Sequence, residues 1–370
     1  MQEYIREFSK YFMLLFMALY TLNAYLLPGG AYRRESVFFF FLRLQYPLIF
    51  LMGTAGYVSM YVQNGRLEFL FFYAFTEIML FAAVVLFHAL YPRGDELIPQ
   101  NMAMLLTVGF MMLSRLSMEK ALRQMAIVFC SLAVGLFVPE ALKRFRRLRD
   151  YPYLFGVFGA TVLTAVLLLG SLVNGSKLSF SLFGVTFQPS ELVKLLFVLF
   201  VAAMYARSTS FLQIVLTGAL SAFHVIVLVF SRDLGSALIF FVVYVLMTFL
   251  ASARLYVLVL GICGGAGASY VAYRVFTHVQ VRVQAWRDPW SVIDNEGYQI
   301  TQSLFAICSG GLFGLGLLRG TPEDIPFVTT DFIFSAIAEE LGLLFSLLLV
   351  LLCIAMFFTC MTLALRIGDL

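Results

Sequence analysis

The sequence predicts an all-α membrane protein: a polytopic transmembrane helical bundle of about 10–12 hydrophobic segments with one large external loop. Composition gives the first reason. Of 370 residues, 62% are hydrophobic and 12% charged, against roughly 25% charged in a soluble domain. The second reason is run length, because apolar stretches of about 20 residues, enough to cross a bilayer as a helix, recur along the whole chain. The third is pattern. Runs such as Leu163–Leu172 and Leu344–Met356 do not alternate polar with apolar residues, as the strands of an outer-membrane barrel must.

Apolar segments fall near 11–27, 37–62, 68–91, 99–115, 121–138, 152–173, 188–206, 211–230, 234–252, 256–273 and 330–365. The net charge is only +4, and its placement matters more than its size. Lys143, Arg144, Arg146, Arg147 and Arg149 crowd one short loop, and such loops mark the cytoplasmic side; that reading is preferred over a lipid- or nucleic-acid-binding patch. Loop 174–187, the turn Ser231–Asp233 and the stretch Arg274–Thr329 then lie outside, with Arg207 and Arg254 inside. The same count places the N-terminus outside despite Arg6 and Lys10, unless one early segment is interfacial. Within the long external stretch, Ile300–Gly320 is apolar but broken by Gly310, Gly311, Gly314 and Gly316. A short helix and turn at the membrane surface, or re-entering it, fits better than a span.

Several chemistries are excluded. The five cysteines (130, 263, 308, 353, 360) show no CxxC spacing, and the three histidines (88, 224, 278) form no HExxH. No Gly-Lys-Ser/Thr follows the glycines, so they are not a phosphate loop. The first apolar run lacks the small-residue cleavage site of a signal peptide.

Charges in or beside apolar spans are costly and therefore mark function or a specific pairing. Glu191 and Lys194 stand three apart at a helix start after Gln188 and Pro189, where a structural ion pair is the plain alternative. Arg232 and Asp233 lie between two spans, where Asp233 also suits a helix cap. The external stretch carries Arg274, Arg282 and Arg287 with Asp288, Asp294, Glu296, Glu323, Asp324 and Asp331, flanked by the interfacial anchors Trp286 and Trp290. Glu339 and Glu340 lie inside the last apolar run. This set suits an anionic amphiphile at the outer leaflet, with arginines for phosphate and a carboxylate as base.

Four strings carry a resemblance: QPSELVK, RDLGSALIFF, GYQITQSLFAICSGGLFGLGL and TDFIFSAIAEELG. Their order is similar to that of the SEDS proteins (shape, elongation, division and sporulation; the RodA, FtsW and SpoVE group), over roughly residues 150–350. Residues 1–140 match only in being hydrophobic, so the division expected is 1–140 as weakly matching segments and 141–370 as the SEDS-like core. The resemblance implies a peptidoglycan glycosyltransferase of the bacterial cytoplasmic membrane. Such a protein polymerises lipid II, the undecaprenyl-pyrophosphate-linked disaccharide-pentapeptide, beside a class B penicillin-binding protein. A 4-hydroxyl attacks an anomeric carbon with inversion, which needs a base and positive charge for the leaving pyrophosphate. Arginines or a divalent cation, Mg or Mn, would supply the charge.

Carried over position by position, the resemblance matches Glu191 and Lys194 to the family's paired charges and Asp233 to the Asp of its DLG string; with Arg232, Arg282, Gln299, Ser303, Asp331, Glu339 and Glu340 they make up the expected substrate-contact set. The family's loop Asp stands five residues before the Gly of Gly-Tyr-Gln; here that position is Val292. Asp294, two residues on, is the preferred substitute base, and Asp288 the second choice. Pro326-Phe327 replaces a usual Pro-Glu, and Thr329 a usual His. The sequence reaches Leu370 without the family's last glycine- and serine-rich string, so a partial sequence is expected. Three functions remain open: a lipid II polymerase, a flippase for the same precursor, and a non-catalytic scaffold for the penicillin-binding protein.

Overall fold

The computed structural model describes residues 2–27, 35–144, 150–173, 176–182, 185–295 and 297–366. Arg146, Arg147, Arg149 and Glu296 lie outside the described residues. The first helices are α1 (Gln2–Leu26), α2 (Glu35–Asn64), α3 (Glu68–Leu90), α4 (Leu97–Leu116), α5 (Met118–Arg144) and α6 (Pro152–Leu169). After three short strands follow α7 (Pro189–Arg207), α8 (Phe211–Phe230), α9 (Leu234–Ser252), α10 (Leu255–Val275), α11 (Thr277–Arg287), α12 (Tyr298–Gly310) and α13 (Ile333–Arg366). Ten of them, α2 to α10 and α13, are long and apolar enough to cross a membrane.

The strands β1 (Ser171–Val173), β2 (Ser176–Leu182) and β3 (Val185–Phe187) pair antiparallel in the order β1-β2-β3. They occupy the loop predicted to be external and are the only departure from an all-α chain among the described residues. Helix α1 is not among the ten. Its uncharged part begins only after Lys10, and Met13, Met17, Tyr20 and Ala24 are fully buried along one face. That spacing is the stripe of a helix packed on one side, here against α2 and α13.

The chain groups into two compact units, Met1–Pro139 with Val281–Gly368, and Glu140–Gln280. This grouping is not the sequence division at residue 140, because residues after 281 join the N-terminal helices. The first unit has a methionine-rich core, with Met13, Met17, Met52, Met60, Met104 and Met111 at 0% exposure; the flexible thioether fills irregular gaps between helices. The second packs Phe197, Phe200 and Phe240 around the buried His224, whose Nδ1 lies 2.7 Å from the Leu220 carbonyl oxygen. His224 is thus a packed core residue.

The glycine-rich segment takes the short-helix-and-turn form. Helix α12 ends at Gly310, and Gly311, Gly314 and Gly316 adopt positive φ, a region open to glycine at no steric cost. The turn lies against a break in α13 at Gly342, φ +89°. There the interrupted ladder leaves the Glu339 and Glu340 carbonyls free, and they accept from Leu315 N at 3.0 Å and Gly316 N at 2.8 Å. In return Leu343 N and Leu344 N donate to the Gly311 and Leu312 carbonyls. Two irregular segments thereby satisfy each other, the condition for non-helical backbone at membrane depth.

Candidate active-site region

The carboxylate loop follows α11. Asp288 caps the 3-10 turn Pro289–Val292, its Oδ1 accepting from Ser291 N at 3.4 Å while Ser291 Oγ donates to the Asp288 carbonyl at 3.0 Å. Val292 is half-buried, and its carbonyl accepts from Asn295 N at 3.1 Å and Gly297 N at 2.9 Å. Asn295 and Gly297 are therefore both drawn back onto Val292. Only glycine fits the second of these positions: a Cβ on Gly297 would lie 2.3 Å from the Pro289 carbonyl oxygen. Asp294 lies in the turn between Val292 and Asn295 and is exposed. The 3-10 turn is held to α12 by Trp290 against Phe305, ring centroids 5.6 Å apart.

Behind it, α12 and α13 are joined by Ser303 Oγ and Ser335 Oγ, 2.6 Å apart and both buried. Gln299 Nε2 donates to the Pro326 carbonyl at 3.4 Å. Glu340, fully buried, accepts from Arg115 Nε at 2.8 Å. The same guanidinium donates to Glu323 and, from Nη2 at 3.1 Å, to the Gly320 carbonyl. Glu339 is also buried; its Oε1 accepts from Thr321 N at 2.9 Å, and its Oε2 has no partner. The neighbouring cavity, about 290 Å³, is lined by Glu339, Asp324, Arg319, Gln302, Ser309 and Phe305 among others. Arg319 is engaged by Glu7 of α1.

Arg115 is the residue that sequence reading missed. Its one signal is an arginine closing an otherwise apolar run, which reads equally as a snorkelling span end. Arg282 and Asp331 are exposed. The other expected contacts belong to the second unit. Lys194 Nζ lies 2.7 Å from Glu191 Oε1, with the carboxylate 60% exposed. Asp233 caps α9 through Oδ1 to Ser236 N at 3.0 Å, its Oδ2 is buried without a partner, and Arg232 is exposed with φ +62°. Both plain alternatives, ion pair and cap, are thus realised. Among the described residues no three His, Cys, Asp or Glu side chains group closely enough to hold a metal ion.

Comparison with known proteins gives the family. The model for the FtsW/RodA/SpoVE cell cycle proteins matches residues 95–370, extending the likeness well before residue 140. Peptidoglycan glycosyltransferase RodA of Mycobacterium tuberculosis is 34% identical over 281 residues, covering 68% of this chain and 60% of the relative. A probable peptidoglycan glycosyltransferase FtsW of Tolumonas auensis is 33% identical over 259 residues, covering 64% of this chain and 66% of the relative. A solved structure described as "Structural coordination of polymerization and crosslinking by a peptidoglycan synthase complex" includes a chain 24% identical, with TM-score 0.49, covering 79% of this chain and 77% of that one. The chain spans about 60% of the length of the RodA relatives it matches. With most of its length matched by the family model, the chain belongs to the FtsW/RodA/SpoVE family of cell cycle proteins.

Proposed function

We propose that this chain is the membrane core of a peptidoglycan glycosyltransferase that polymerises lipid II at the outer face of the bacterial cytoplasmic membrane. The observation that carries the reading is the 34% identity, over 281 residues, to proteins named peptidoglycan glycosyltransferase RodA. The acceptor sugar's 4-hydroxyl attacks the anomeric carbon of the growing strand, undecaprenyl pyrophosphate leaves, and the centre inverts. Asp294 is the base on this reading: it is exposed at a turn, whereas Asp288 already spends an oxygen on a cap. Arg282 offers charge to the pyrophosphate. Mg²⁺ or Mn²⁺ would be held chiefly by the substrate's own phosphates with one or two carboxylates, the usual mode for Mg²⁺, and that mode needs no three-ligand protein cage. A class B penicillin-binding protein is the partner that would crosslink the product.

The test is full-length protein with its partner and labelled lipid II, products resolved on a gel. Long strands that vanish in Asp294→Ala support the reading; strands that persist there and vanish in Asp288→Ala move the base. The buried charges Arg115 and Glu340 favour a second reading, a polar path for translocating the same lipid. Headgroup translocation in vesicles without any polymer would decide for it.

A further inference from the structure

Glu339 is a buried carboxylate short of a partner. Both nearby guanidinium groups are committed, Arg115 to Glu340 and Glu323, and Arg319 to Glu7. Thr321 N satisfies Oε1, so Oε2 is left as an unpaired acceptor in a residue only 4% exposed. Leaving such an oxygen unmet costs its full desolvation. The cavity that Glu339 lines also holds the Gln302 amide, the Ser309 hydroxyl, which donates to the Ala306 carbonyl at 2.9 Å and is left as an acceptor, and Phe305, half exposed, as an aromatic wall backed by Trp290. Its size of about 290 Å³ sits at the small end of ligand pockets, roughly 300–1,000 Å³.

A carboxylate, an amide, a hydroxyl oxygen and an aromatic ring lining one cavity are complementary to a pyranose. The ring's C–H face covers the aromatic wall, and its hydroxyls donate to the carboxylate. A bare cation is matched less well, because the described residues gather no three-ligand set. We infer that this cavity is a sugar subsite that takes a single N-acetylhexosamine ring, with Glu339 Oε2 accepting from a ring hydroxyl and Phe305 against the ring face. The inference rests on the glycosyltransferase reading and adds to it where one sugar of the substrate is gripped, apart from the proton transfer assigned to Asp294. Gly320 belongs to the same wall, since a Cβ there would lie 2.8 Å from the Glu339 Cδ.

The protein carries its own reporter. Its two tryptophans are Trp286 and Trp290, so Trp286→Phe leaves Trp290, beside Phe305, as the single emitter. In that background, emission of the purified protein in detergent is titrated with N-acetylglucosamine and with N,N′-diacetylchitobiose. The expected result is a saturable change, weakened about tenfold or more by Glu339→Ala, the loss of one hydrogen bond to a charged group. Ser309→Leu, an exposed lining position that leaves the buried charges intact, narrows the cavity and weakens it likewise. Absence of a saturable response, or an undiminished one in Ser309→Leu, overturns the subsite; so does the same response to Mg²⁺ or Na⁺ alone. Sugar binding without lipid II polymerisation would instead leave the subsite standing and remove the glycosyltransferase reading.

Discussion

Arg115 of α4 and Glu340 of α13 form a buried ion pair, Nε to Oε1 at 2.8 Å, with the two side chains 5% and 0% exposed. The two residues are 225 positions apart in sequence. Their guanidinium also reaches Glu323 and the Gly320 carbonyl, so one side chain ties two helices and the loop wall of the cavity. Removing one member of a buried pair strands the other charge, at a cost of roughly 3–5 kcal/mol. Arg115→Ala is therefore expected to lower the thermal midpoint of the detergent-solubilised protein sharply, and Arg115→Lys to restore part of it, because one ammonium cannot reproduce the fork. A midpoint for Arg115→Ala within a degree of the parent would show the pair to be dispensable.

The break in α13 gives a second expectation. Gly342 has φ +89°, and a Cβ there would lie 2.3 Å from Gly314 N. Gly342→Ala should destabilise by roughly 1–3 kcal/mol from backbone strain alone, with the clash adding to it. Gly109 of α4 is the control. A Cβ there meets nothing within 4 Å, so Gly109→Ala should be neutral or stabilising by up to about 1 kcal/mol. Comparable losses in both variants would mean that the break is not under the constraint described.

Much of this architecture was legible beforehand, for reasons that differ by region. The spans follow from apolar run length, and the bend after α12 from Gly311, Gly314 and Gly316, because a glycine cluster in an apolar run has few other uses. The partner of that bend was not legible. Gly342 sits singly in the string Glu340-Leu341-Gly342-Leu343 and carries no mark that its helix stops there, since the cause is hydrogen bonding to a segment some 30 residues earlier in the chain. Arg115 was missed for the same reason: its partners are long-range. Spacing marks Val292 as the odd residue of the loop, but only the turn closing on Gly297 shows how that position is held.

The pairing of Glu7 with Arg319, which lines the cavity, predicts a pH effect. Glu7 precedes the apolar run that starts at residue 11. Hydrogen bonding to Lys10, then to Arg319, holds its carboxyl below the ordinary value of 4.5. A group whose pKa is depressed on folding stabilises fully above its unfolded value and loses that contribution as pH falls through the folded one. The difference in thermal midpoint between the parent and Glu7→Gln should hence be constant from neutral pH down to about 5 and shrink below about 4.5. A gap that widens on acidification would contradict the sign. The carboxylate is 41% exposed, so the gap itself is expected to be small.

The loop supplies the sharpest test of mechanism. Val292 stands where the resemblance expects the catalytic Asp, and Asp294 stands two residues on, exposed on the same turn. If Asp294 works as base from the displaced position, Asp294→Ala should lower polymerisation of lipid II by about 10²–10⁴-fold, the usual contribution of general base catalysis. Asp288→Ala should cost far less, since it removes one weak cap worth about 0.5–2 kcal/mol. The decisive variant restores the family's spacing. Val292 is only half-buried, so Val292→Asp can present its carboxylate at the turn without stranding it in a core. In the Asp294→Ala background, Val292→Asp should recover a measurable fraction of the lost rate, with a pH profile rising through a carboxylate pKa. Recovery would place the chemistry on this turn, whichever of the two positions carries the carboxylate; no recovery, with Asp288→Ala inactive, would move it to the far side of Pro289.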